Sequence, residues 1–213
     1  MNGDLIVHEP YAGVEQQRAA DYMGMYVFLG SEIMLFGGIF AALFAVRLLH
    51  PHAPFVAAAH LKIWLGTANT AILLTSSLFV AAATVVVREG RRRTASALLA
   101  VAVLCGVAFL CIKGVEYRIE YLDGLMPGIG PKQSPIRDAP AALIIDLYFI
   151  STVLHAIHLS VGVVLLGTLS VLLLRQDPAA PPSPITVVMA GLYWHLVDIV
   201  WIFLFPVLYL PRP

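Results

Sequence analysis

The stretch YWHLVDIVWIFLFPVLYL, residues 193–210, decides the fold class, because it is apolar or aromatic throughout apart from His195 and Asp198. A run of roughly 20 such residues crosses about 30 Å of lipid hydrocarbon as an α-helix. The whole chain agrees, with 60% hydrophobic and 12% charged residues, against about 45–50% and about 25% in soluble domains. The sequence therefore predicts an integral membrane protein.

Four further apolar runs precede this stretch, and the connections between them carry the proline, glycine and charged residues that end helices. We predict an all-α polytopic membrane protein, a bundle of five transmembrane helices that forms a single domain over residues 1–213. The predicted spans are 22–48, 61–87, 94–117, 141–174 and 185–210.

Arginine residues between the second and third spans predict the orientation. Arg88, Arg91, Arg92 and Arg93 lie in one short connection, and short loops rich in Lys and Arg stay on the cytoplasmic side of a membrane. The N-terminus is then cytoplasmic, while the long connection 118–140 and the C-terminus lie outside.

Five ionisable residues fall near the middle of the predicted membrane when depth is counted at about 1.5 Å per residue. They are Glu32, His155, His158, His195 and Asp198. Charged groups at this depth are costly, so they normally face protein or water and find partners. We expect these residues to turn toward the interior of the bundle.

A second polar layer is predicted nearer the outer surface. Lys113 and Glu116 are three residues apart on the third span, a spacing that places them on one helical face as an ion pair. Asp146 lies early in the fourth span, at a similar depth. The simplest interpretation is an interfacial pair in which the lysine extends toward the membrane surface.

The mid-membrane residues are compatible with three kinds of site. Histidines from two helices could ligate a b-type haem, a chain of Glu and His could carry protons, or the group could be a structural latch of interhelical hydrogen bonds. The sequence has no CxxCH haem attachment and no cysteine-rich metal motif. Its net charge of zero gives no basic face for a nucleic-acid partner.

The motifs of all five spans resemble one family. The spans are similar, in family order, to the helices of subunit III of the haem-copper oxidases. The matching stretches are GMYVFLGSEIMLFGGIFAALF at 24–44, ANTAILLTSSLFVAAA at 68–83, KGVEYRIEY at 113–121, YFISTVLHAIHLSVGVV at 148–164 and the last span. The chain resembles cytochrome c oxidase subunit 3 of the short bacterial type, which lacks the first two helices of the seven-helix members.

This resemblance implies a subunit without its own redox cofactor, metal or catalytic residue. Haem and copper would reside in subunits I and II, and this chain would pack on subunit I, bind phospholipid and support proton uptake in a bacterial plasma membrane, with a small subunit IV as a further neighbour. His195 and Asp198 would then form part of the latch, and Glu32 would be the family's carbodiimide-reactive carboxyl. The alternatives are a subunit of a quinol oxidase or of a nitric-oxide-reductase-associated homologue, and a stand-alone proton-coupled transporter.

Helical periodicity adds one specific contact to these expectations. Ser151, His155, His158 and Gly162 recur at helical spacing on one face of the fourth span. Since Glu32 reaches the same depth from the first span, we predict a hydrogen bond between Glu32 and His155 or His158.

Overall fold

The computed structural model describes residues 13–126, 136, 138–175 and 183–211. Every regular element in these ranges is an α-helix, in agreement with the predicted fold class. The helices are α1 (Val14–Leu49), α2 (Ala53–His60), α3 (Ile63–Arg88), α4 (Arg92–Leu122), α5 (Ala139–Arg175) and α6 (Pro184–Tyr209). All but the short α2 are long and apolar enough to cross a membrane, in agreement with the predicted number of spans.

At two ends the helices extend beyond the predicted spans by five residues or more. Helix α1 begins at Val14 rather than at residue 22, and α4 continues to Leu122 rather than ending at residue 117. Both additions carry charged residues, which a search for uninterrupted apolar sequence leaves out. A helix needs only its backbone hydrogen bonds to continue beyond an apolar run.

Helix α2 was not predicted, because its residues were assigned to a connection. Pro54 occupies the first turn of α2, where the missing N–H of proline removes no helical hydrogen bond. Ala57 and Ala58 are almost completely buried. The connection between the first two spans therefore contains a short helix that packs against the bundle.

Turns and caps set the ends of the other helices. Gly90 has a φ of 79° in the turn between α3 and α4, a left-handed conformation that favours glycine. At the start of α6, the hydroxyl of Ser183 accepts a hydrogen bond from the backbone N–H of Thr186 at 3.3 Å. Residues 127–135 and 137 of the predicted outer connection lie outside the described residues.

Helices α3, α4, α5 and α6 pack most extensively on one another, and α1 lies along α5 and α6. Helix α6 is the most buried of the five long helices and α1 the least. Hence the predicted final span, residues 185–210, forms the interior of the bundle.

Polar side chains form hydrogen bonds between neighbouring helices. These bonds matter because, in lipid, apolar packing alone does little to fix the orientation of one helix against another. The hydroxyls of Ser96 on α4 and Ser170 on α5 each donate to the other residue's carbonyl oxygen, at 2.7 and 3.0 Å. The indole Nε1 of Trp201 on α6 donates to Oγ1 of Thr70 on α3 at 3.0 Å. These bonds fix the rotation of neighbouring helices.

Candidate functional site

One polar contact ties the peripheral helix α1 to the bundle. Oε2 of Glu32 lies 2.8 Å from Nε2 of His158 on α5, and both side chains are about 15% exposed. Phe36 packs edge-on against the His158 ring at 5.3 Å between ring centroids. The predicted pairing of Glu32 with one of the two α5 histidines is confirmed, and the partner is His158.

The other nitrogen of His158 defines the chemistry of this pair. Nδ1 lies 2.8 Å from the carbonyl oxygen of Leu154, and a carbonyl can only accept, so Nδ1 carries a hydrogen. Nε2 and Oε2 of Glu32 therefore share a single proton. The pair is either an imidazolium facing a carboxylate or a neutral imidazole facing a carboxylic acid.

His155 does not take part in this pair. It is completely buried, with its ring centroid 5.5 Å from that of Phe109 and 5.1 Å from that of Trp201. Neither ring nitrogen has a hydrogen-bond partner within the described part of the chain. His155 thus occupies the interior as predicted, but as an imidazole packed among aromatic rings.

The two ionisable residues of the final span take different environments. Nδ1 of half-buried His195 lies 2.7 Å from the hydroxyl oxygen of Ser77 on α3. Asp198 is 2% exposed and lies beside Ser77, yet neither carboxyl oxygen meets hydrogen-bond geometry with any described group. The interhelical link of the predicted latch therefore runs from His195 to Ser77.

A larger polar group, which we call the Lys113 cluster, lies where the C-terminal parts of α4 and α6 meet α5. Its five members, Lys113, Glu116, Glu120, Tyr148 and Tyr209, are each at most 2% exposed. Nζ of Lys113 donates to Oε2 of Glu116 at 2.8 Å. It also donates to the hydroxyls of Tyr148 at 2.9 Å and Tyr209 at 2.6 Å. The three hydrogens of the ammonium are thereby used.

The two tyrosines extend the Lys113 cluster to both carboxyls. The hydroxyl of Tyr209 is 2.8 Å from Oε1 of Glu116, and that of Tyr148 is 2.7 Å from Oε1 of Glu120. The two hydroxyl oxygens lie 3.1 Å apart. Residues from three helices therefore form one continuous hydrogen-bond network.

Aromatic faces complete the surroundings of the lysine. Nζ of Lys113 lies 4.8 to 5.4 Å from the ring centroids of Tyr117, Tyr148, Trp201 and Tyr209. A cation at such distances is stabilised by the negative face of the ring. The ammonium is thus held by aromatic rings as well as by hydrogen bonds.

The structure corrects the predicted outer layer in three respects. Lys113 and Glu116 form the predicted ion pair, but both are buried, so the interpretation as an interfacial pair with an extended lysine is wrong. Asp146 is half-buried, and no hydrogen bond joins it to the Lys113 cluster among the residues that the structure covers. Glu120 takes the place expected for Asp146. It was missed because the predicted span ended at residue 117, although residues 113, 116 and 120 share one helical face.

Two of the three membrane histidines are committed to protein partners, whereas His155 packs among aromatic rings. Ligation by two imidazoles requires that both face the same macrocycle with a free nitrogen. His158 uses both nitrogens, on Glu32 and on a backbone carbonyl, and His195 directs Nδ1 to Ser77. In the described ranges, no group of three or more His, Cys, Asp or Glu residues is arranged to hold a metal ion.

Comparison with known protein families gives one match over nearly the whole chain. The family model of cytochrome c oxidase subunit III matches residues 4–123 and 135–211. The match includes all five long helices and both polar groups described above.

Individual relatives include both types of oxidase subunit. A haem-copper oxidase subunit I+III of Aeropyrum pernix is 32% identical over 193 residues, which are 87% of this chain and 22% of that protein. A cytochrome c oxidase subunit 3 of Thermostichus vulcanus is 28% identical over 88% of this chain and 86% of its own length. A probable quinol oxidase subunit 3 of Staphylococcus aureus is 25% identical over 88% and 87%. With its five apolar helices, its buried polar groups and a match along almost its full length, the chain belongs to the cytochrome c oxidase subunit III family.

Proposed function

We propose that this protein is the third subunit of a proton-pumping haem-copper terminal oxidase in a bacterial plasma membrane. In this function it packs against subunit I, stabilises it, binds phospholipid and supports proton uptake, while haem and copper reside in the partner subunits. The A. pernix relative, whose name combines subunits I and III, supports the contact with subunit I. Subunit II and a small subunit IV are the further proposed neighbours.

One observation supports a structural role: two membrane histidines form hydrogen bonds between helices of the bundle. His158 holds α1 to α5 through Glu32, and His195 holds α6 to α3 through Ser77. Side chains committed to such contacts orient helices that lipid would otherwise leave free to rotate. We therefore propose that the Glu32–His158 pair stabilises the subunit and is not an indispensable proton relay.

Glu32→Ala tests this role in the assembled oxidase. The substitution leaves His158 without its partner, at a cost of about 1–3 kcal/mol, and loosens α1. We expect the oxygen-reduction rate at the start of turnover to stay within the same order of magnitude, and the working life of the enzyme to shorten. Both quantities are measured from oxygen consumption traces of the purified complex.

Glu89→Ala is the matched control, because Glu89 is an exposed carboxyl between α3 and α4. It should change neither the initial rate nor the working life. If Glu32→Ala abolished the initial rate in a complex that still contains this subunit, the structural role would be wrong, and Glu32 would have to conduct protons directly.

For the electron donor we propose cytochrome c, since the family resemblance of the final span, including FPVLYL at 205–210, favours that type over quinol. The relatives include subunits of both types at similar coverage. Donor chemistry takes place on subunit I or II, so the neighbouring genes provide the test. A subunit II with copper-binding Cys and His residues is the expected result, and a subunit II without them would indicate quinol.

A further inference from the structure

The hydrogen bonds of the Lys113 cluster need one more hydrogen than its side chains carry when both carboxyls are ionised. The ammonium of Lys113 supplies three, which go to Glu116, Tyr148 and Tyr209. Each tyrosine hydroxyl supplies one, and these go to the two carboxyls. The 3.1 Å contact between the two hydroxyl oxygens is then left without a hydrogen.

The charges of the cluster show the same deficit. One ammonium faces two carboxyls, and all three groups are at most 2% exposed. A buried charge without a partner is strongly unfavourable. Oε2 of Glu120 is buried and has no hydrogen-bond partner among the described groups, and Asp123 lies near enough to add repulsion of the same sign. Glu120 is therefore the group least suited to carry a negative charge.

We propose that the Lys113 cluster is a proton-binding site that holds one additional proton, on Oε1 of Glu120. The hydrogen bonds then run in one direction: Glu120 donates to Tyr148, Tyr148 to Tyr209, and Tyr209 to Glu116. Each hydroxyl accepts two hydrogens and donates one, which is its full capacity. The net charge becomes zero, and the unpartnered Oε2 is the carbonyl oxygen of a neutral acid, whose burial costs less than that of a carboxylate.

The proton belongs on Glu120 rather than Glu116 because the two carboxyls receive different donors. Glu116 accepts directly from the ammonium at 2.8 Å, and a charged donor favours an ionised acceptor. Glu120 meets only the hydroxyl of Tyr148, at 2.7 Å.

The hydrogen-bond chain also allows the proton to be shared between the carboxyls. If Glu120 gives its proton to Tyr148, the hydroxyl hydrogen of Tyr148 passes to Tyr209, and that of Tyr209 passes to Glu116. The result is an ionised Glu120 and a protonated Glu116, with both hydroxyls intact. Each transfer crosses a contact of at most 3.1 Å. The site is separate from the Glu32–His158 pair and does not depend on the proposed function.

Infrared spectroscopy of the purified full-length protein, with any subunits that co-purify, tests the proposal. The carbonyl stretch of a protonated carboxylic acid is separate from that of a carboxylate and shifts in D₂O. Glu120→Gln should remove one such band from the wild-type spectrum. Glu116→Gln should also remove it, because Glu120 then becomes the counter-ion of Lys113. Glu89→Gln, which changes an exposed carboxylate, should remove none.

Two tyrosine variants locate the proton. Tyr148→Phe removes the acceptor of the Glu120 proton, so the acid band should persist at higher frequency, whereas Tyr209→Phe should shift it less. If Glu120→Gln removed no acid band from the wild-type spectrum, the additional proton would be overturned. A band that responds to Tyr209→Phe and not to Tyr148→Phe would overturn its assignment to Glu120.

Discussion

Replacing Gly106 with alanine tests how closely α4, α5 and α6 pack around one tryptophan. Trp194 on α6 is completely buried. A Cβ at Gly106 would lie 2.8 Å from Cη2 of Trp194 and 2.8 Å from Cγ2 of Val163. On the α5 side of the ring, a Cβ at Gly162 would lie 2.9 Å from Cε3. The indole therefore fills a space between two glycines, and it has little room to move away from a new methyl group.

The expected cost follows from these distances. Carbon atoms in favourable contact are about 3.5–4.0 Å apart, so the new methyl group must displace its neighbours by about 1 Å. Overpacking of this kind costs about 1–3 kcal/mol. The higher helix propensity of alanine offsets it by about 1 kcal/mol. We expect Gly106→Ala to lower the free energy of unfolding by about 1 kcal/mol, toward 2 kcal/mol if the ring cannot move.

Gly114→Ala is the matched control, because Gly114 is on the same helix and a Cβ there would meet no atom within 4 Å. The assay is the midpoint temperature at which the detergent-purified protein loses its tryptophan fluorescence signature. Gly106→Ala should lower the midpoint, and Gly114→Ala should leave it unchanged or raise it. Equal midpoints for the two variants would refute the argument that Trp194 is confined.

Three other predictions concern topology, cofactors and transport. In a cysteine-free background, Glu89→Cys should react with a membrane-impermeant thiol reagent from the cytoplasmic side and Asp123→Cys from the opposite side, because the arginine-rich turn is expected inside. Labelling with the sides exchanged would contradict the orientation. The isolated chain should contain no stoichiometric haem or copper, measured by absorption spectroscopy and metal analysis, since His158 and His195 are engaged with protein partners and His155 is enclosed by aromatic rings. Proteoliposomes of the chain alone should not move protons, and proton movement would favour the transporter alternative.

The sequence alone was sufficient to predict five membrane helices and the presence of an interior polar layer. Both follow from local properties: an apolar run long enough to span lipid must form a helix, and an ionisable residue within that run must find a partner. Glu32 and His158 could therefore be matched by depth. The short helix α2 (Ala53–His60) escaped notice because it is too short to leave a clear periodic signal.

Only the tertiary structure decided which residues meet. His155 and His158 are three residues apart, so they point in directions that differ by about 60° around the helix, and either could have faced Glu32. The rotation of α5 against α1 gives the contact to His158 and leaves His155 among aromatic rings. That rotation depends on the packing of whole helices, which no local pattern encodes.

The partners within the Lys113 cluster also could not be predicted from local sequence. Charge at residues 118 and 120 ended the predicted span, since an isolated carboxyl is unfavourable in the interior of a membrane protein. The structure instead buries Glu120, because Tyr148 from α5 and Tyr209 from α6 bring hydroxyls to the same point. Those tyrosines lie 28 and 89 positions further along the chain, within apolar runs. The sequence determined that polar groups would need partners inside the bundle, whereas the partners themselves were decided by which helix faces pack together.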